Sequence, residues 1–168
     1  DGILLFDIMD QRVWSRAMAD TTGMEAFYTA HRKSYMWDER CDAYLVTCSN
    51  GADVEGVRSA YKKIRKGKLD QEELNRDFCS QDTIPCITLE HLVVEKGENA
   101  LVDRQFGVSG LGPVVENGGS IRFVIVKGLK PPEPKELDEA RGQITSDYQN
   151  YLEEVWIGKL KKKYPVEI

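Results

Sequence analysis

From Lys135 to Tyr164 no proline interrupts a run in which Leu137, Ala140, Ile144, Tyr148, Tyr151, Leu152, Val155 and Leu160 recur at three- and four-residue spacing. That is the period of an amphipathic helix. Pro131, Pro132 and Pro134 punctuate its start. Glu136, Asp138 and Glu139 fall in its first turns and Lys159, Lys161, Lys162 and Lys163 in its last, an order that complements the helix dipole. A helix of about 28 residues runs roughly 42 Å, whereas a domain of about 100 residues has a radius of gyration near 13 Å. Its apolar stripe therefore demands cover from the N-terminal part of the chain or from a partner.

Elsewhere the same period recurs in shorter pieces. Asp10 opens a helix with Val13, Trp14, Ala17 and Met18 on one side. Thr22 and Glu25 read as a capping box starting a second helix whose face carries Met24, Phe27, Tyr28, His31 and Tyr35. Asp53 opens a third, with Val54, Val57, Tyr61 and Ile64 inward, lysines outward and Gly67 at its end. Asp70 to Phe78 gives a fourth, burying Leu74 and Phe78.

The period changes to two in the strands. Cys41 to Cys48 is rich in β-formers and ends at Ser49-Asn50-Gly51. Ile84 to Glu95 alternates through Ile87, Leu89, His91 and Val93, and Gly118-Gly119 turns into Ile121–Val126. Between them, Gly97 to Gly119 is weakly patterned; its glycines do not follow a strand into a helix at phosphate-binding spacing and read as turns. Neither His31 nor His91 has a cluster around it, and both read as structural. This order predicts an α+β fold: a small, mostly antiparallel sheet with flanking helices, plus a helical subdomain made of the N-terminal helices and the long C-terminal one. The segments are 1–38 with 131–168 for the helical part and 39–130 for the sheet.

Composition narrows the function classes. Of 168 residues, 41% are hydrophobic and 30% charged, ordinary for a domain with a core. A net charge of −5 argues against nucleic acid as partner, because no broad basic field attracts phosphates. The cations at Lys62, Lys63, Arg65, Lys66 and Lys68 read as a solvated helix face. No run of about 18 apolar residues predicts a transmembrane segment. The opening, Asp1-Gly2-Ile3-Leu4-Leu5-Phe6, lacks an initiator Met and a signal peptide and predicts a fragment of a longer precursor.

The four cysteines form two pairs with six residues between partners, Cys41/Cys48 and Cys79/Cys86, a poor spacing for zinc. On one extended strand Cys41 and Cys48 lie about 23 Å apart, beyond disulfide reach. Cys79 and Cys86 admit either a bridge across a loop or two free thiols.

Particular residues add a resemblance. Phe27–Tyr35, rich in tyrosine, leads into Arg40–Val46; a helix ends in Lys66-Gly67; a second ends in Phe78-Cys79-Ser80-Gln81-Asp82; Gly119-Ser120-Ile121-Arg122-Phe123-Val124 opens the last strand; and Leu137–Gln149 starts the tail helix. In this order the chain resembles, over residues 24–164, the parvulin-type (rotamase) peptidyl-prolyl isomerases, and in particular the SurA-type periplasmic foldases. In that family one histidine on the first strand and one on the last flank an acid or thiol around the bound proline peptide. By resemblance the histidine positions fall at or next to Ala43 and Arg122, and the acid or thiol at Asp82 with Cys79 beside it. Neither histidine is kept, and Thr83-Ile84-Pro85-Cys86 replaces the family's glycine-rich loop.

The resemblance implies a periplasmic module that binds unfolded or proline-containing polypeptide as a chaperone, with weak or no isomerase activity. It also implies an upstream domain of the same precursor. The alternative is an active isomerase with a site rearranged around Asp82. Prolyl isomerisation needs no cofactor; it needs a dry pocket and polar groups that favour the twisted amide against a barrier of ~18–20 kcal/mol. A third reading is an unrelated α+β binding domain.

Overall fold

The computed structural model describes residues 2–164; Asp1 and residues 165–168, at the ends of the two helical segments, lie outside the described residues. The chain divides into two compact units, Asp1–Met36 with Glu133–Ile168, and Trp37–Pro132.

The first unit is helical. Gly2–Met9, Asp10–Trp14 and Ser15–Ala19 run on from one another, the middle segment wound as a π-helix. Val13 and Ala17, one turn apart, are fully buried. Trp14 and Met18 were predicted on that same side, but each is rotated about 100° from its predecessor. Met18 is consequently 73% exposed, and Trp14 turns to meet the Phe6 ring at 5.2 Å.

The next helix, Thr21–His31, is capped by Asp20 rather than by a Thr22–Glu25 box: the Asp20 carboxylate accepts from the Gly23 N–H at 2.8 Å. The long helix is Arg141–Lys163, 23 residues and about 34 Å, shorter than the sequence predicts. Its start is delayed because the Glu139 carboxylate accepts from the Glu136 N–H at 2.7 Å, closing a turn that contains the acidic residues expected in the first helical turn. Ala17, Met24, Tyr28 and Tyr35 from the N-terminal end pack with Ala140, Ile144 and Tyr148 from the C-terminal end in one apolar cluster. Polar ties fix the contact. Tyr28 Oη donates to the Lys135 carbonyl at 2.6 Å, and Tyr35 Oη donates to Asp147 at 2.7 Å.

The second unit is built on a five-stranded antiparallel sheet of β1 (Arg40–Cys48), β2 (Ile87–Glu95), β3 (Gly110–Leu111), β4 (Val115–Asn117) and β5 (Ser120–Lys130). Its order is β2-β1-β5-β3, with β4 also on β5. β1 is central and buries both faces, which explains why its sequence is apolar without strict alternation. On one face Val46, Cys48, Ile87, Phe123 and Ile125 pack under Val57, Ile64 and Leu74, brought by the helices Val54–Ser59, Tyr61–Arg65 and Gln71–Phe78. On the other face Cys41, Ala43, Leu45, Val124 and Val126 pack under Val102, from the short helix Ala100–Asp103. β4 and β5 are joined at Gly118-Gly119, with φ of +58° and +83°, the paired positive values of a type I′ hairpin.

Two features of this unit depart from the sequence reading. β2 begins at Ile87 rather than Ile84, because Gln81–Thr83 forms a 3-10 turn and Cys86 bonds back to Cys79. The weakly patterned glycine stretch holds a helix and two strands as well as turns. The open question about the cysteines resolves as a Cys79–Cys86 disulfide, Cα–Cα 5.9 Å. Cys41 and Cys48 remain free and buried, on opposite faces of β1. Burial pushes the Cys48 thiol up to about 11 and the Cys41 thiol upward too, so both are unreactive.

Candidate functional site

The residues singled out by resemblance occupy different environments. Ala43 is fully buried in the core under Val102. Arg122 lies on the neighbouring strand and the same face, but opposite Thr47, whereas Ala43 stands opposite Val126. Four register positions separate them, about 13 Å along the strand. Asp82 is exposed on the 3-10 turn Gln81–Thr83. Cys79, held in a disulfide, offers no thiol. Among the described residues no hydrogen bond or ion pair joins any two of Ala43, Asp82 and Arg122, and the Arg122 Nε is enclosed without a partner.

A polar cluster that the sequence does not announce sits on the opposite face of the sheet from Ala43 and Arg122. His91, read as isolated, has its Nε2 2.8 Å from Asp42 Oδ1, and its ring lies 5.1 Å from that of Tyr44. Lys127 Nζ is 3.6 Å from the same carboxylate and 5.4 Å from the Tyr44 ring. β1, β2 and β5 supply one or two members each, and the bulge at Asp42/Ala43 against β5 lets Lys127 reach Asp42. Its members bond to one another, and together they tie three strands. Residues 49 positions apart in sequence make its shortest contact, so no local motif reveals it.

One open feature of the helical unit is a groove of about 320 Å³ between Thr21–His31 and Arg141–Lys163. Gly23, Ala26 and Ala30 form its floor, and Phe27, His31, Tyr148 and Tyr151 its walls. The small residues recur at helical spacing, which hollows one face of the helix. A Cβ at position 23 would collide with the Tyr148 hydroxyl and the Asp20 carboxylate, so glycine is required there. The aromatic rings support one another, with Phe27 5.5 Å from Tyr148 and 5.4 Å from Tyr151, and the two tyrosines 6.1 Å apart. These offset geometries favour a rigid aromatic wall.

Polar atoms of the wall are tied back rather than aimed inward. Tyr148 Oη donates to Asp20 Oδ2 at 2.8 Å; burial first, then that bond, pushes its pKa up to about 12. His31 Nδ1 lies 2.8 Å from the Phe27 carbonyl, and since a carbonyl only accepts, Nδ1 carries the proton and Nε2 faces outward. Tyr151 is 46% exposed. Such a surface receives an aromatic or aliphatic side chain, with no group placed for covalent chemistry. Tyr28 and Tyr35 are core, whereas Phe27, Tyr148 and Tyr151 form the wall. The three-residue step from Tyr148 to Tyr151, facing Gly23, Ala26 and Ala30, is the signal that marks it.

Among the described residues no group of three or more His, Cys, Asp or Glu side chains is placed to hold a metal ion, and no helix is long and apolar enough to cross a membrane. No family model matches the chain, and neither does any curated protein sequence. Two solved chains that resemble it come from work on the virulence factor PEB4 and the periplasmic protein Cj1289, described as two structurally related SurA-like chaperones of Campylobacter jejuni. The first is 14% identical, covering all of this chain and 71% of that one, with a TM-score of 0.33. The second is 12% identical over 90% of this chain and spans 57% of that one, with a TM-score of 0.26.

Proposed function

We propose that this chain is a polypeptide-binding chaperone module of SurA type, carrying a parvulin-like domain with weak or no prolyl isomerase activity. The observation that carries the reading is the aromatic groove between Thr21–His31 and the long helix, open to solvent and walled by Phe27, Tyr148 and Tyr151. An exposed apolar groove with a rigid aromatic wall suits side chains of an unfolded client, which present the same chemistry in many sequences. A periplasmic location fits the Cys79–Cys86 disulfide, and an upstream region of the same precursor would extend the surface for clients.

The test is aggregation of a chemically unfolded client with and without the protein. Tyr151→Ser, at an exposed position, is expected to weaken suppression roughly fivefold, the worth of about 1 kcal/mol at one contact. Suppression by neither protein at several-fold molar excess would end the reading.

The second reading, an isomerase around Asp82, draws on one observation: Ala43 and Arg122 share a face of adjacent strands. Against it stand the burial of Ala43, the disulfide at Cys79 and the solvent-exposed position of Asp82. A protease-coupled assay on short X-Pro peptides separates the two. The chaperone reading expects no rate above background; a rate that falls on Asp82→Ala would establish the isomerase instead.

A further inference from the structure

On another face of the long helix lies a second groove, of about 180 Å³, whose chemistry differs from the first. Leu152, Val155 and Trp156 form its apolar side, and Arg12, Arg16 and Lys159 ring it with positive charge. Leu152, Val155, Trp156 and Lys159 follow the three- and four-residue steps of one helical stripe, which leaves Glu153 and Glu154 off it. Arg12 and Arg16 are one turn apart on the facing helix, and Arg12 belongs to the π-helical segment Asp10–Trp14, a distortion frequent at functional sites.

The three cations have no ion-pair partner among the described residues. Two nearby carboxylates are engaged elsewhere. Asp10 accepts from the Ser15 hydroxyl at 3.1 Å. Asp20 is held by Gly23 and Tyr148, with Arg16 adding only a longer-range attraction. A chain of net charge −5 thus concentrates free positive charge around one apolar groove.

We propose that this groove binds an acidic, amphipathic segment of a polypeptide client: apolar side chains against Leu152, Val155 and Trp156, with Asp or Glu side chains flanking them on Arg12, Arg16 and Lys159. The inference rests on the polypeptide-binding reading above and adds the class of segment selected. Arginine suits the role because its planar fork donates two parallel N–H bonds to an approaching carboxylate.

The experiment measures binding of short dansyl-labelled peptides to the whole protein by anisotropy. One peptide carries apolar residues with Glu between them, one the same apolar residues with Lys, and one Glu without apolar residues. The first is expected to bind at least about tenfold more tightly than either of the others, with an affinity that falls as salt rises. Combined Arg12→Gln, Arg16→Gln and Lys159→Gln, which retain polar side chains of similar reach, should weaken it about tenfold. Equal binding of the Glu and Lys peptides, or of wild type and variant, overturns the proposal. So does equally tight binding of the apolar-free peptide or of phosphatidylglycerol vesicles, since either makes the groove a plain cation patch. The parallel aggregation assay keeps the two readings apart. Selective peptide binding without aggregation suppression sinks the chaperone function alone, and suppression with unselective binding sinks this inference alone.

Discussion

At the scale of single residues, two polar side chains do work that an apolar pattern cannot show. Asp20 caps Thr21–His31 and also receives the Tyr148 hydroxyl from the other end of the chain. The Gly23 N–H first and Tyr148 second hold its carboxyl below the ordinary value of 3.8. A lowered carboxyl stabilises the fold above its unfolded value and loses that contribution as acid protonates it. Tyr148 has the opposite sign: raised from 10.0 to about 12, its neutral form stabilises the fold below pH 10, and the contribution disappears as pH rises from 10 to 12. Melting temperatures of the wild type should therefore fall below pH 4 and again across pH 10–12. Tyr148→Phe should reduce the alkaline fall without abolishing it, since burial and the Asp147 bond raise Tyr35 as well and burial raises Cys48, both with the same sign; an unchanged fall would remove Tyr148 from the contributors. Asn75 is the second case, 6% exposed. Its Oδ1 accepts from the N–H groups of Cys86 and Ile87 at 2.8 and 3.0 Å, and its Nδ2 donates to the Gln71 and Ile87 carbonyls, both at 2.7 Å. Asn75→Leu leaves those backbone groups buried and unmet, at about 1–3 kcal/mol for each unsatisfied group. A loss of about 3 kcal/mol in urea unfolding is expected, and a loss under about 1 kcal/mol would mean that water replaces the amide.

At the scale of elements, the pattern of apolar positions located most helices and strands but misjudged ends and faces. The Cys41–Cys48 strand, the helices from Asp53 and from Asp70 and the glycine turn before Ile121 were legible because their signals are local: β-branched density, helical spacing and turn glycines. The start of the long helix was not, because the Glu139–Glu136 turn competes with the first helical turn for the same acidic residues. The exposed Met18 was not, since it lies one residue, about 100°, beyond Ala17, and so short a helix does not show which edge of its stripe is buried. In the long helix the stripe is used unevenly. Ile144 is fully buried and Leu160 is not. Ile144→Ala should therefore cost about 2–5 kcal/mol, whereas Leu160→Ala should stay within about 1 kcal/mol. Comparable losses at both positions in thermal unfolding would show that the helix is covered along its whole length.

At the scale of the whole molecule, the two units differ in how they are encoded, and that difference is testable. Trp37–Pro132 is continuous and carries its own sheet with an apolar cluster on each face. The helical unit is discontinuous: Met24, Tyr28 and Tyr35 find their cover only in Ala140, Ile144 and Tyr148, more than a hundred residues later. The sequence could reveal that two ends needed cover, because both carry apolar stripes. The aromatic groove has a signal on each side, but which two stripes meet is set only where Gly23, Ala26 and Ala30 pack on Tyr148 and Tyr151. A chain ending at Pro132 should therefore keep the dispersed amide signals of the sheet in NMR while the segment before Trp37 loses protection, since its helices retain apolar faces without a partner and helices this short do not persist alone. Under the proposed function the same truncation removes both walls contributed by the long helix, so suppression of client aggregation should vanish although the sheet survives. Suppression that persists in the truncated chain would move client binding to the sheet unit and return attention to the face shared by Ala43 and Arg122.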